Sequence, residues 1–301
     1  MDSRALRYFL AVAEQGSFTA AASQLNIAQP AVSMAVKKLE EELELTLFHR
    51  HERQISLTDE GRVLLPHARQ IAQALADAEL EMRELHTLQN GEVRIGIPSM
   101  LGSYYFPPIL MAFRHRYPQL RLSVVEAGTR QLQQMISHGD IDMGVIVADT
   151  PPSELETRRF LRDQMMAILP VDHPLAGLDH VSYADFFAED LVLFKKGYFH
   201  REVIDRLCRD YGYKPKIGFE TNLLPLTKQI VKHGFGITTL LAMVIAEDRE
   251  LVARPFTEPV WLDLSIAWRQ GGYLSRANRT FVEFLLEHSQ NTQINDRPAG
   301  L

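Results

Sequence analysis

Between Ser17 and Thr58 the chain packs two short apolar-periodic helices, a sharp turn and a basic-tipped hairpin into one compact stretch. A unit this small has too little core for an enzyme, but it suits the placing of one helix in a DNA groove. Leu6, Phe9, Leu10 and Ala13 fall at helical spacing, so a first helix is expected from Ser3 to Gln15, with Gly16 as its stop. Ser17 then reads as the N-cap of a second helix, Phe18 to Leu25, with Phe18, Ala21, Ala22 and Leu25 inward. Asn26-Ile27-Ala28 is the turn, and Pro30 suits the first position of a third helix, where its missing N–H costs nothing.

That third helix carries the argument. Val32, Val36, Leu39 and Leu43 make one buried stripe. At ~100° per residue, Pro30, Met34, Lys37 and Glu41 point the opposite way, flanked by Ser33 and Lys38. Leu45 to Arg50 and Gln54 to Leu57 form a small hairpin with His51-Glu52-Arg53 at its tip. Together these elements make a winged helix-turn-helix over 1–58.

Bulk charge gives this reading no help. The net charge is −6, and the cations of 1–58 face a similar number of acids. A DNA partner must therefore be argued from where the cations sit. The length of 301 residues suggests two domains or more. No run reaches the ~18 apolar residues of a membrane span, and Met1-Asp2-Ser3-Arg4 lacks a signal-peptide pattern, so the expectation is a cytoplasmic protein that meets no membrane. Cys208 is the single cysteine, which rules out an internal disulfide and a Cys₄ zinc site. No metal and no cofactor is expected.

A linker helix should follow over 59–90, capped by Thr58 and started by Asp59 and Glu60. Leu64, Ala68, Ile71, Leu75, Ala78, Met82 and Leu85 alternate by four and three, the spacing of a coiled-coil seam. Pro66 should bend it near its start, and Asn90-Gly91 ends it. From Glu92 onward strand and helix patterns alternate, which indicates α/β units with a parallel sheet. Expected strands include 93–97, 120–125, 142–147, 165–169, 191–194, 216–220, 251–254 and 262–268. One subdomain should comprise 91–161 with 267–290, a second 162–266, and a polar tail, 291–301, should be disordered.

The chain resembles the LysR-type transcriptional regulators over nearly its whole length. The resemblance is strongest in Phe9-Leu10-Ala11-Val12-Ala13, Ser17-Phe18-Thr19-Ala20-Ala21-Ala22, Gln29-Pro30-Ala31-Val32-Ser33, Leu39-Glu40, Leu47-Phe48, Arg50 and Leu57-Thr58-Asp59-Glu60-Gly61. A weaker signature continues through Glu126-Ala127-Gly128-Thr129, Gly139-Asp140-Ile141-Asp142, Asp172-His173-Pro174-Leu175-Ala176 and Val231-Lys232-His233-Gly234-Phe235-Gly236-Ile237. The resemblance implies a homodimer through the long helix, often a tetramer, and a C-terminal effector domain like periplasmic binding proteins, whose two α/β halves close on a small ligand. It also makes RNA polymerase a candidate partner. The chain departs from the family at Met34-Ala35 and Ala20, where polar or basic residues are common. It departs again at Thr238-Thr239-Leu240-Leu241-Ala242, where the family runs toward a proline and the loop here should differ.

Gln29, Pro30, Ser33, Met34, Lys37, Arg50 and Arg53 are the candidate DNA-binding residues. Gln29 can pair with adenine, and Ser33 can donate or accept; a turn-capping role for Gln29 stays open. Met34 can meet a thymine methyl or, alternatively, the wing. Lys37, Arg50 and Arg53 are phosphate or minor-groove cations unless they are merely solvated. With so few cations, binding should need linked copies and should weaken steeply with salt. Ser99 follows the strand ending at Ile97, Ser103 begins the next helix and Thr129 follows the strand ending near Val125, and ligands of open α/β sheets collect at such ends. The resemblance places the cleft between the two halves, which adds Met100, Val147, Phe194 and Lys195 to these candidate effector-binding residues. Helix N-termini there favour an organic anion. Tyr104, Tyr105, Phe106 and Phe199 are either aromatic contacts for it or core. Leu64, Ile71, Leu75, Ala78, Met82 and Leu85 are the candidate dimerisation residues. An enzyme is disfavoured: the chain has no G-x-S-x-G, H-E-x-x-H, P-loop or dinucleotide glycine motif.

Overall fold

The computed structural model describes residues 1–51, 54–86, 91–147 and 152–295. The chain divides into unit 1, Met1–Thr87, and unit 2, Leu88–Leu301.

Unit 1 runs α1 (Ser3–Gln15), α2 (Phe18–Gln24), α3 (Gln29–Leu43), β1 (Phe48–His51), β2 (Gln54–Leu57) and α4 (Asp59–His86). Local chemistry sets these bounds. Asp2 accepts the Ala5 N–H at 2.7 Å and opens α1, and Gly16 closes it in the left-handed conformation at φ 58°. Ser17 accepts the Ala20 N–H at 3.3 Å and opens α2. Phe9, Val12, Val32, Val36, Leu39, Leu47 and Phe48 form the core, with Phe48 packed on Phe9 at 5.3 Å and on Phe18 at 5.8 Å. Thr58 donates its hydroxyl to the Thr46 carbonyl at 2.7 Å and accepts the Gly61 N–H at 2.9 Å, which joins the end of the hairpin to the first turn of α4.

Unit 2 contains β3 (Glu92–Ile97), α5 (Ser99–Tyr104), α6 (Phe106–Arg116), β4 (Arg121–Glu126), α7 (Thr129–His138) and β5 (Met143–Val147), followed by the long strand β6 (Leu155–Pro170). Next come α8 (Tyr183–Ala188), β7 (Asp190–Leu193), α9 (Phe199–Tyr211), β8 (Lys216–Glu220), α10 (Leu224–Lys232) and β9 (Thr238–Leu241). The second long strand, β10 (Leu251–Arg269), and α11 (Arg276–Asn295) complete the unit. Six strands form one sheet in the order β4-β3-β5-β10-β6-β9, and β7-β8 form a parallel pair. β3 pairs in parallel with β4 and β5; β10 runs antiparallel to β5 and β6. β6 and β10 pair from Leu155↔Arg269 to Pro170↔Leu251 and so link the two ends of the unit.

Four expectations are corrected here. The sheet is mixed and not parallel, because the long strands β6 and β10 run antiparallel to each other and to β9 and β5. The stretches 251–254 and 262–268 are one strand. The chain stays extended through Pro255 because the register shifts between Pro255 and Val260, and a bulge tolerates a residue without a ladder N–H. Thr238–Leu241, expected as a divergent loop, is a fully buried strand on β6, with Thr238 donating to the Val192 carbonyl at 2.6 Å. The tail expected to be disordered from 291 is helical to Asn295, because α11 continues past the last apolar position.

Candidate functional site

The outward face of α3 is built by what lies beneath it. Val32 and Val36 are fully buried and Leu39 nearly so, which fixes the helix rotation. Met34 is therefore 71% exposed, an unusual place for a large apolar side chain. Gln29, Pro30 and Lys37 are also exposed, and Ser33 is half-buried beside them. Gln29 is the first helical residue, so Pro30 stands one position later than expected. Ala28 is the N-cap and supplies no side-chain hydrogen bond; Gln29 does not take that part. Lys37 has Glu41 one turn on, at 3.5 Å, and both are exposed.

Arg50 stands differently from the free cation expected. Its guanidinium meets the Glu40 carboxylate at 2.8 Å and lies 5.3 Å from the centre of the Phe18 ring. Glu40 is a positioning residue that sequence reasoning passed over. It accepts the Leu47 and Phe48 N–H groups, holding the start of the wing against α3. The available signal was a carboxylate on the recognition helix at the boundary of the buried stripe. Arg53 lies outside the described residues.

In unit 2, Ser99 opens α5 and Thr129 opens α7, each just after a parallel strand. Met100 is buried with its Sδ 3.2 Å from His200 Nε2. His200 stacks on Phe194 at 4.6 Å and packs on Phe199. Burial pushes the His200 imidazole down to about 3, so the ring is neutral. Lys195 is exposed, and its backbone N–H donates to Asn222 Oδ1 at 2.9 Å. Burial, then the Glu126 carboxylate, raises the Tyr198 phenol. The structure thus brings Met100 together with Phe194 through His200. Val147 is half-buried at the end of β5 and packs on the large core. Ser103 is placed elsewhere: it lies in the last turn of α5, not at the start of the next helix, and lines a separate recess with Lys228, Lys232 and Asp248. Of the aromatics, Tyr105 and Phe106 pack on Phe160, while Tyr104 lies under Lys228. Gly128, Gly197, Tyr198 and His200, which meet where α7 faces the start of α9, were not among the residues singled out from sequence. Only the Gly128-Thr129 pair at a strand end signalled them.

Residues 3–62 match the family model for a bacterial regulatory helix-turn-helix protein of the lysR family, and residues 86–290 match the LysR substrate binding domain. The chain belongs to the LysR family. It is a DNA-binding transcriptional regulator with an effector-binding domain, and not an enzyme. The RuBisCO operon transcriptional regulator of Allochromatium vinosum is 33% identical over 293 residues, covering 95% of this chain and 96% of that one. Full-length BenM superposes with a TM-score of 0.60 at 26% identity over 100% of both chains. The regulatory domain of Synechocystis CcmR, solved in complex with 2-PG, shares the fold at a TM-score of 0.62 and 23% identity, covering 67% of this chain and 99% of that one.

Within this LysR regulator α4 is divided along its length. Ala68 is buried in the core of unit 1, and Leu64, Leu65 and Ala72 pack against it. Leu64 therefore helps to seat α4 on its own domain. Ile71, Leu75, Ala78 and Met82 are exposed. The Leu85 side chain lies outside the described residues.

Proposed function

We propose that α3 enters the major groove of a double-stranded DNA operator with Gln29, Pro30 and Ser33 leading. Met34 then lies against base edges and Lys37 on a phosphate. The observation that supports this is the 71% exposure of Met34 between Ser33 and Lys37, directly opposite a fully buried valine stripe. Arg50 orients the wing. The exposed half of α4, from Ile71 to Met82, pairs two copies into a homodimer, so the half-sites form an inverted repeat. RNA polymerase is the partner through which such binding acts, and the cytoplasm is where the two meet.

The effector of this reading is a small organic anion near Ser99 and Thr129. Its support is chemical. Thr129 stands at the N-terminal end of α7, where backbone N–H groups and the helix dipole favour negative charge. The CcmR fold carries 2-PG, which is 2-phosphoglycolate.

The test of the DNA reading is binding of Met34→Ala to operators in which each central T·A pair is replaced in turn. A thymine-methyl contact makes the variant insensitive to one replacement that weakens the native protein, by about 1–3 kcal/mol. Equal loss on every operator refutes the contact.

A further inference from the structure

In unit 2, contacts run from the side built on β3, β4 and β5 to the side built on β7 and β8. Arg130, the second residue of α7, directs its Nε to the carboxylate of Glu202 in the first turn of α9. The Arg130 backbone N–H faces the Gly197 carbonyl at 3.5 Å. Gly128 approaches so closely that a Cβ there would stand 2.7 Å from the Gly197 oxygen. His200 Nε2 meets Met100 Sδ across the same boundary. Two buried side-chain atoms at this junction have no hydrogen-bond partner among the described residues, Thr129 Oγ1 and His200 Nδ1. Their residues are 3% and 2% exposed. Unpaired buried polar atoms are costly, so such atoms mark a place where a partner belongs.

We infer that Glu202 is an internal stand-in for the effector's anionic group, holding the Arg130 guanidinium until an effector carboxylate or phosphate takes it. The inference rests on the cleft reading above and adds to it a named competitor. Three observations converge. The N-cap of α7 is Gly128, which supplies no side-chain hydrogen bond to the first turn, where the Arg130 N–H faces the Gly197 carbonyl. Arg130 adds a full positive charge one residue inside that same turn, and an Arg fork matches carboxylate and phosphate geometry. The pair it now makes is exposed on the Arg130 side, at 70%. Such a pair is weakly held and exchanges readily for a better anion. Glu202 thus keeps the junction closed and the guanidinium oriented without committing it. The unpaired Thr129 hydroxyl belongs to the neighbouring residue of the same helix turn. Neutral ligands gain nothing from Arg130 and must break the pair uncompensated, so the device selects for negative charge.

The full-length protein and its Glu202→Gln, Arg130→Gln and Thr129→Val variants are titrated calorimetrically with inorganic phosphate and with acetate at constant ionic strength. Removing the internal competitor should make Glu202→Gln bind about two- to fivefold tighter, the range an exposed ion pair spans. Arg130→Gln should bind at least about fivefold weaker. Amide exchange without ligand gives a second readout. Residues 128–132 and 197–202 should exchange faster in Glu202→Gln and Arg130→Gln and recover in the reversed pair, Arg130→Glu with Glu202→Arg. If the Arg130 and Glu202 variants bind both anions as the native protein does, while Thr129→Val loses them, the stand-in is wrong and the cleft reading survives. If Thr129→Val also leaves binding unchanged, or neither anion binds the native protein, the anionic cleft reading falls and takes the stand-in with it.

Discussion

Glu40 and Arg50 meet across 2.8 Å, and the same Glu40 carboxylate accepts the backbone N–H groups of Leu47 and Phe48 at 2.8 and 3.3 Å. One side chain on the recognition helix therefore fixes where the wing begins. The Phe18 ring lies 5.3 Å from the Arg50 guanidinium and packs on Phe48, so α2, α3 and β1 share a single joint.

Glu40→Ala removes the acceptor for two N–H groups and leaves Arg50 without its carboxylate. It should destabilise unit 1 by about 1–3 kcal/mol, read by thermal unfolding. Glu40→Gln keeps an oxygen in place and should lose under about 1 kcal/mol. The salt dependence of DNA binding separates positioning from phosphate contact. Lys37→Gln should lower the slope by about one, and Arg50→Gln should leave it unchanged. An Arg50→Gln slope that drops like that of Lys37→Gln returns Arg50 to the phosphates.

Gly61 sits in the first turn of α4, where alanine would ordinarily stabilise a helix by about 1 kcal/mol. Here a Cβ would stand 2.3 Å from the Leu47 carbonyl oxygen and 2.9 Å from Leu57 Cδ2. The first obstacle is backbone and cannot swing away. Gly61→Ala should therefore destabilise by about 1–3 kcal/mol. A rise in the midpoint of urea unfolding contradicts the close approach.

What was legible in the sequence follows from how local each signal is. Val32, Val36 and Leu39 announce their burial by spacing alone, and Asp2, Ser17 and Thr58 act on N–H groups three residues away, so unit 1 could be read almost completely. The ion pair of Arg50 was not legible because its partner, Glu40, is ten residues off and meets it only when the hairpin folds back. The packing of Leu64 on unit 1 was not legible because a four-three spacing does not say which half of a helix already has a neighbour. In unit 2, Pro255 hid the continuity of β10, since a bulge is a property of two paired strands and not of one sequence. The contacts of Arg130 with Glu202 and of Met100 with His200 span 72 and 100 residues, beyond any local pattern.

Ile71, Leu75 and Met82 leave large apolar side chains in solvent along the outer half of α4. If that face pairs two copies, Leu75→Glu places a charge in the seam of both protomers at once. Burying one Leu contributes about 1.5–3 kcal/mol, so losing two should weaken dimerisation at least about a hundredfold. Sedimentation equilibrium should show monomers at micromolar concentration, with DNA affinity falling alongside because linked half-sites are lost. Leu64→Ala is the contrasting control: it should lower the unfolding midpoint and leave the association constant unchanged. A Leu75→Glu protein that remains a dimer excludes this face.

His200 makes the acid sensitivity of unit 2 predictable. Its ring is buried among Phe194, Phe199 and Met100, and burial pushes its pKa down to about 3 from the usual 6.5. The unfolded chain takes up a proton on this ring below about pH 6.5, and the folded chain does not until about pH 3. Between those values the unfolded state binds more protons, so stability is full above the unfolded pKa and is lost as pH falls. The slope from this one group approaches about 1.4 kcal/mol per pH unit. His200→Phe keeps an aromatic ring between its neighbours and removes the titration. Urea unfolding at pH 7 and pH 5 should show the native protein losing more stability than the variant over that interval. Equal losses in the two proteins mean that the imidazole is protonated where it stands, and that the junction with Met100 opens to water.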